Sequence, residues 1–311
     1  EKMRKDIIMP IHSFGSLNLD YVYAVDHFVQ GGETMAALGR QVFAGGKGLN
    51  QSIALARAGA KVYHAGKVGP DGAMLTQLLL DAGADVSHVG VEPDTPTGHA
   101  IIQVDSHTGQ NCIIIYPGAN GCLTPDFIDQ ALSKARPGEF ALFQNETSSL
   151  AYGLEQCHKA GLQVVFNPSP CTGVALDPAI YPFVDWLILN EVEGHLLTGE
   201  KDPQPICQAL HSRYPGCKLV LTLGKAGAMY ADGQCEPIFQ PAYRVKAVDT
   251  TAAGDTFTGY FLAAIDQGAP VAAALELASR AAAISVSRPG AAPSIPLRAE
   301  VDAAVFSAHS P

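Results

Sequence analysis

The amino-acid sequence predicts an α/β fold: a doubly wound, mainly parallel sheet flanked by helices, with a small β-sheet appended to it. Three observations lead there. Short apolar runs alternate with helix-length segments through much of the chain, as strands buried on both faces require. Two segments, about 17–43 and 95–120, read as strands with no helix between their runs, and so stand outside the βα rhythm. Two turns of small residues, at 45–48 and 249–255, each lead directly into a helix.

In chain order, Ile11 to Gly15 predicts a first strand. The following Ser16-Leu17-Asn18-Leu19-Asp20 alternates polar and apolar residues, which points Asn18 and Asp20 the same way. Tyr21 to Val25 and the Gly31-Gly32 turn predict extra strands within 21–41. A helix is expected over Leu49 to Ala58, ended by Gly59, because Ile53, Leu55, Ala56 and Ala58 recur near helical spacing. Then come a strand at Lys61 to Ala65, a Gly-rich turn at Gly66 to Gly72, a helix to Asp81 and a strand at Val86 to Val91. Thr97 to Gln103 and Asn111 to Tyr116, joined by D-S-H-T-G-Q, predict a hairpin. Further strands are expected around 141–143, 164–166, 187–189 and 219–221, then at 229–233 and around Tyr243 to Val248, which gives the sheet a mixed edge. Two alanine-rich helices follow, about Thr256 to Gln267 and Val271 to Val286, and the first is apolar enough to be buried.

At 311 residues, 47% hydrophobic and 16% charged, the chain suffices for one large α/β unit or two smaller domains, and its composition is globular. A formal net charge of −10 argues against nucleic acid or an anionic membrane as the main partner, so anionic ligands have to be held by local groups. Seven cysteines without a C-x-x-C pair indicate neither a disulfide framework nor a zinc site, and fit a reducing compartment. No apolar run approaches the ~20 residues of a membrane helix and no secretory-type run follows the N-terminus, so a cytoplasmic location is expected. His12, His64 and Cys112 lie in or beside apolar runs and read as core, whereas His99 and His107 read as solvent-facing.

Chemistry concentrates in D-T-T-A-A-G-D, residues 249–255. Ala252, Ala253 and Gly254, set just before a helix, leave backbone N–H groups unobstructed where the macrodipole is positive, a place for a phosphate. Asp255 either caps that helix or takes a proton from a bound hydroxyl, and on these seven residues alone capping is the commoner role. Taken singly, Asn18 and Asp20 are also turn formers, Gly45-Gly46 a helix entry, Lys47 a surface lysine, and Asn190 with Glu193 a capping box.

Two motifs in the same chain change that weighing. G-S-L-N-L-D with A-G-G-K-G-L-N-Q, at 15–20 and 44–51, and D-T-T-A-A-G-D-T-F-T-G, at 249–259, resemble the ribokinase family of ATP-dependent sugar kinases, and the resemblance runs from Ser13 to Pro296. It implies a single ribokinase-like domain over residues 1–311, with the segments 17–43 and 95–120 forming a small β-sheet lid. It implies a carbohydrate kinase that uses ATP to phosphorylate the primary hydroxyl of a pentose, in the first place D-ribose. Asp255 would be the base, with the amides of Ala252, Ala253 and Gly254 around the transferring phosphoryl. Asn18, Asp20, Gly46, Lys47, Asn50 and Glu146 would hold sugar hydroxyls, which need both donors and acceptors. Asn190, Thr222, Gly224 and Gly227 would bind ATP, and Asn190 with Glu193 would hold Mg²⁺ through waters. Asp249, Thr251, Ser285, Arg288, Gly290 and Ser294 match the positions that bind a monovalent cation, potassium, mainly through carbonyl oxygens.

Alternatives stay open. A kinase for a sugar phosphate would need extra cations, yet 95–120 contains no Lys or Arg, and Arg40 is alone between Lys5 and Lys47. A nucleoside kinase is a second alternative; a sugar-responsive binding protein without catalysis is a third, and the intact Gly254-Asp255 speaks against it. Ile101, Val104, Ile113 and Ile115 leave the lid with a face in need of cover, so a homodimer through the lids is expected. The other partners expected are the sugar and ATP.

Overall fold

The structure, a computed structural model, describes residues 9–306. Strand β1 (Ile11–Phe14) is followed by β2 (Asn18–Val25), β3 (Gly39–Gly45), helix α1 (Lys47–Arg57), β4 (Val62–Val68), α2 (Ala73–Ala82), β5 (Asp85–Val91), β6 (Gly98–Asp105), β7 (Asn111–Tyr116) and α3 (Pro125–Leu132). Next come β8 (Phe140–Gln144), α4 (Leu150–Lys159), β9 (Gln163–Asn167), β10 (Trp186–Asn190), α5 (Glu191–Thr198), α6 (Pro203–Arg213) and β11 (Lys218–Thr222). The described chain closes with β12 (Gly227–Ala231), β13 (Ile238–Pro241), α7 (Ala253–Asp266), α8 (Val271–Val286) and α9 (Arg298–Ala303).

A nine-stranded sheet has the order β13-β12-β11-β10-β9-β8-β1-β4-β5. It is parallel from β11 to β5, while β12 and β13 add antiparallel pairings at one edge. Alternate side chains feed two cores, as the strand period of two demands. Ile11, Phe140 and Leu142 face α1, α2, α7 and α8; Phe14, Ala141 and Phe143 face α3, α4 and α6. Each fully buried Leu or Phe of this kind stabilises the fold by roughly 1.5–3 kcal/mol. Helix α7 is buried along most of its length, and Gly259 lets it lie against α1, since a Cβ there would come within 2.4 Å of the Ala54 Cβ.

The chain winds outward from β1 to β4 and β5, then returns to β8 on the other side of β1. Strand order therefore reverses at β1 and β8, and the carboxyl ends of the strands there form the natural crevice of such a sheet. A second, four-stranded sheet has the order β3-β2-β6-β7, with β2 and β6 parallel and the outer pairs antiparallel. The expected hairpin is the β6–β7 pair. Among the described residues no helix is long and apolar enough to cross a membrane.

The fold departs from the sequence reading in four places. Residues 243–248 form no strand; β13 at Ile238–Pro241 pairs with β12 instead, so the alternating stretch after it runs as irregular chain. Strand β4 continues through Gly66 to Val68 because it stays paired with β5, and the turn begins only at Gly69. Gly66 is there for close approach rather than as a breaker, since a Cβ would meet the Gly15 carbonyl at 2.7 Å. Cys112 is exposed on the edge strand β7, not core, and His99 packs between the rings of Tyr21 and Tyr116 at 5.8 and 5.2 Å. His12 and His64 are buried, as expected.

Candidate active site

The crevice is assembled from the carboxyl ends of β1, β9, β10 and β11 and the starts of α1, α5 and α7. Helix α1 begins at Gly46, whose φ of 97° favours glycine and whose added Cβ would sit 2.9 Å from the Ser16 carbonyl. No side chain of its own caps this helix; its first amides are satisfied from elsewhere. Lys47 N–H donates to Glu146 Oε2 at 2.9 Å, Gly48 N–H to Ser16 Oγ at 3.2 Å and Leu49 N–H to the Ser16 carbonyl at 2.9 Å. The Ser16 hydroxyl donates to the same Glu146 oxygen. Glu146 is thus a carboxylate set at a helix N-terminus, the favourable end of the dipole. Ser16, which follows β1 within G-S-L-N-L-D, was not singled out in the sequence, although its place at a strand end just before Asn18 was the available signal.

Asp255 lies in the first turn of α7, is 6% exposed, and does not cap the helix, which has no side-chain cap. Its Oδ2 accepts from Asn50 Nδ2 at 3.1 Å and its Oδ1 from Gln51 Nε2 at 2.9 Å. The capping role that seven residues favoured is therefore replaced by bonds from α1. Burial pushes the Asp255 carboxyl above its usual range, opposed by the Lys47 charge and by the Gln51 and Asn50 donors. Burial works against the Lys47 ammonium too, but the carboxylates of Asp255, Glu146 and Glu193 outweigh it and raise its pKa. Lys47 thus stays charged among carboxylates. The Asn50 Oδ1 is buried without a partner among the described residues, an acceptor available to a bound hydroxyl.

Asn18 and Asp20 share one face of β2, and Asp20 closes on Gly45, where an added Cβ would come within 2.2 Å of its Oδ2. Asn18 Oδ1 accepts from Asn120 Nδ2 at 2.7 Å, and Asn120 also accepts from Leu17 N–H at 3.0 Å. Asn120 is a second residue the sequence reading missed. Burial, with the Glu146 charge behind it, raises the Asp20 pKa to about 6.

Beyond Asp255 a cleft of about 190 Å³ is lined by Lys47, Asn190, Glu193, Thr222, Gly254 and Asp255, among others. Asn190, Thr222 and Asn167 stand at the carboxyl ends of β10, β11 and β9. Asn190 and Glu193 form a complete capping box for α5, with Glu193 N–H donating to Asn190 Oδ1 and Asn190 N–H to Glu193 Oε2, both at 2.9 Å. Each carboxylate or amide oxygen keeps further acceptor capacity, so oxygen ligation of a hydrated Mg²⁺ fits the residues present. Gly224 has open space around it, but Gly227 is required by the sheet: a Cβ there would lie 2.0 Å from the Gln240 carbonyl of β13. Gly227 thus has a packing reason of its own.

The residues matched to a cation site also converge. Asp249 accepts from Thr251 N–H and Gly290 N–H, both at 2.9 Å, and the hydroxyls of Ser285 and Ser294 bond each other at 2.8 Å. Burial raises the Asp249 pKa, but these hydrogen bonds outweigh it and keep the carboxyl below its usual range, which suits a cation with oxygen ligands. The Arg288 side chain turns away to Glu300 at 2.7 Å, so only its main chain faces this loop. A separate hollow of about 350 Å³ between α7, α8 and α9 contains none of the candidate residues, and its Arg298 and Asp302 pair with each other.

A buried carboxylate at an uncapped helix start, in the crevice of a doubly wound sheet beside a small second sheet, marks an α/β enzyme-type site suited to take a proton from a small bound molecule. The chain belongs to the pfkB family of carbohydrate kinases, whose family model matches residues 10–298. The ribokinase of Haemophilus influenzae is 33% identical over 308 residues, covering 96% of this chain and 97% of that protein. The structure of ribokinase from Thermotoga maritima superposes with a TM-score of 0.84 at 36% identity, over 95% of this chain and 98% of that one. Arabidopsis thaliana ribokinase, solved with ribose and ATP, gives a TM-score of 0.84 at 30% identity, over 95% and 98%.

Proposed function

We propose that this carbohydrate kinase transfers the γ-phosphoryl group of ATP to the primary hydroxyl of D-ribose, forming ribose 5-phosphate and ADP. The observation that carries the reading is Asp255: a buried carboxylate that accepts from Asn50 and Gln51 and lines the cleft beside Lys47. The sugar oxygen bonds to phosphorus, the bond from the γ-phosphorus to the ADP oxygen breaks, and the hydroxyl proton passes to Asp255. The amides of Ala252 and Gly254 lie at the positive end of α7, where charge on the transferring phosphoryl is stabilised, whereas the Ala253 N–H donates to the Thr250 carbonyl at 3.2 Å and acts only through the turn it closes. Asn18, Asp20, Gly46, Lys47, Asn50 and Glu146 surround the sugar; the last also holds the Lys47 turn in place. Asn190, Thr222, Gly224 and Gly227 form the nucleotide side.

Mg²⁺, held by Glu193 and Asn190 through waters, would neutralise phosphate charge. Potassium, beside Asp249 and the Ser285 loop, would steady the main chain that leads into α7. In the small sheet, β7 is an edge strand exposed along its whole length, with Ile114 and Ile115 62% and 65% exposed. Such an edge calls for cover, and a second copy of the same sheet supplies it, so the working form is a homodimer of single-domain chains with 17–43 and 95–120 as lids.

The test is ADP release in the presence of Mg²⁺ and ATP with ribose, 2-deoxyribose, fructose, fructose 6-phosphate and a nucleoside. Ribose is expected to give the highest kcat/KM; a higher value for any of the others would overturn the substrate assignment.

A further inference from the structure

Gln51 is fully buried directly behind Asp255. Its Nε2 donates to Asp255 Oδ1 at 2.9 Å and to Asn167 Oδ1 at 3.0 Å, while its Oε1 accepts from Gln144 Nε2 at 2.8 Å. Asn167 in turn donates its Nδ2 to the Ile188 carbonyl at 2.8 Å. An amide side chain has two orientations that differ in which end donates, and its neighbours decide between them. Here the decision is made twice. A main-chain carbonyl only accepts, so Asn167 has to turn its NH₂ to Ile188 and its oxygen to Gln51. A carboxylate also only accepts, so Gln51 has to turn its NH₂ to Asp255. Both ends demand the same orientation of Gln51.

Gln144 must then donate, and its own Oε1 is left buried without a partner among the described residues. Turning Gln144 over would set two oxygens against each other, so the orphan is the consequence of the polarity imposed from Asp255 and Ile188. Side chains from α1, β8 and β9 and a carbonyl from β10 thereby converge on one carboxylate oxygen. With Asn50 donating to the other oxygen, the carboxylate plane is set, and each oxygen keeps a lone pair for an incoming hydroxyl.

We propose that Gln51 is a positioning residue for Asp255, its amide held in one orientation by Asn167, which the Ile188 carbonyl fixes in turn, so that the carboxylate meets the substrate hydroxyl without rotating. This rests on the reading of Asp255 as the proton acceptor. Lys47 and Glu146 also act on the Asp255 charge and are kept in every variant below.

The experiment compares the parent with Gln51→Met, which keeps the length and removes both donors, in steady-state assays with ribose and ATP from pH 5 to 9. Expected is a fall in kcat of about tenfold to a hundredfold, the size produced by loss of a partner that orients an active group. The ribose KM stays within about threefold, and the acidic limb of the kcat profile moves to higher pH, because a donor that favours the ionised carboxylate is gone. In an Asp255→Asn background, Gln51→Met adds no further loss, since it acts through Asp255. Unchanged kcat with an unmoved limb, or losses that multiply in the double variant, overturns the proposal. If Gln51→Met does not accumulate as folded protein, Gln51→Glu decides: it keeps the shape and the Gln144 bond but sets a group that only accepts against Asp255, so a kcat reduced about tenfold or more with the acidic limb at higher pH is expected, and an unchanged kcat overturns the proposal. Full turnover in Asp255→Asn alone would instead overturn the assignment of the base, a distinguishable failure.

Discussion

Asn50 and Asp255 are 205 positions apart in sequence and joined by a hydrogen bond of 3.1 Å from Nδ2 to Oδ2. The bond exists because α1 and α7 lie face to face, with Gly259 against Ala54 one helical turn further along each helix. Removing the negative charge while keeping the shape isolates the base. Asp255→Asn is expected to lower kcat by about 10²–10⁴-fold, the usual contribution of a positioned proton acceptor. Ribose affinity measured by calorimetry should stay within a few-fold. Near-parental turnover would sink the assignment.

Close contact between α1 and α7 makes a second prediction. Gly259→Ala puts a methyl group 2.4 Å from the Ala54 Cβ and 2.8 Å from the Leu55 nitrogen. Overpacking of this kind costs about 1–3 kcal/mol. The helices part, Asn50 and Gln51 draw away from Asp255, and kcat falls together with the urea midpoint. A second change, Ala54→Gly, makes room for the methyl and should restore part of both; no recovery would argue against this packing account.

Asp20 carries a pH signature. Its pKa in the folded protein is raised from 3.8 to about 6, by burial first and the Glu146 charge second. A carboxyl whose folded pKa lies above its unfolded value contributes stability that is fully present below the unfolded value and is lost as pH rises through the folded one. For this group the window runs from 3.8 to about 6. Without sugar, Asp20→Asn should flatten that part of the stability curve and leave the protein more stable at pH 7 by about 1–3 kcal/mol. If Asp20 holds a sugar hydroxyl as proposed, the ribose KM of the variant should rise as well. Parallel stability curves for the two proteins between pH 4 and 7 would contradict this.

Potassium gives a fourth test. Activity in potassium chloride should exceed that in tetramethylammonium chloride at matched ionic strength, and Asp249→Ala should abolish the difference by releasing Thr251 and Gly290. Equal rates for the parent protein in the two salts would remove the cation from the mechanism.

The edge strand β7 supplies the fifth. Light scattering should give twice the 32.6 kDa of one chain. Ile115→Lys should shift the protein toward single chains, since an exposed lysine on an edge strand opposes pairing. A parent protein that has the mass of one chain at micromolar concentration and full activity would rule the dimer out.

Much of the fold was legible because strands buried on both faces write themselves as apolar runs. Leu142, Val165, Leu187 and Val220 all lie in strands where such runs predict them. Legibility ended where a local pattern has two tertiary outcomes. Residues 243–248 alternate like a strand but find the sheet edge already taken by β13, and Gly66 looks like a breaker while serving as a close-contact point within β4. At the site, motifs single out Asn18, Asp20, Lys47, Asn50 and Asp255, and the structure brings Lys47, Asn50 and Asp255 together. Ser16, Gln51, Asn120, Gln144 and Asn167 were not legible, because polar residues of these types occur everywhere and only their partners give them a role.

By itself, then, the sequence determined the βα rhythm, the two strand-rich segments and the turn ending in Asp255, all of which depend on periodicity and on residues adjacent in the chain. Only the tertiary structure decided that Asp255 is bonded by α1 rather than capping its own helix, that Glu146 and Ser16 hold the start of α1, and that Gln51 points its amide one way. Those decisions rest on hydrogen bonds between groups 32 to 204 positions apart, whose directions follow from which neighbour can only accept, and no local pattern encodes that.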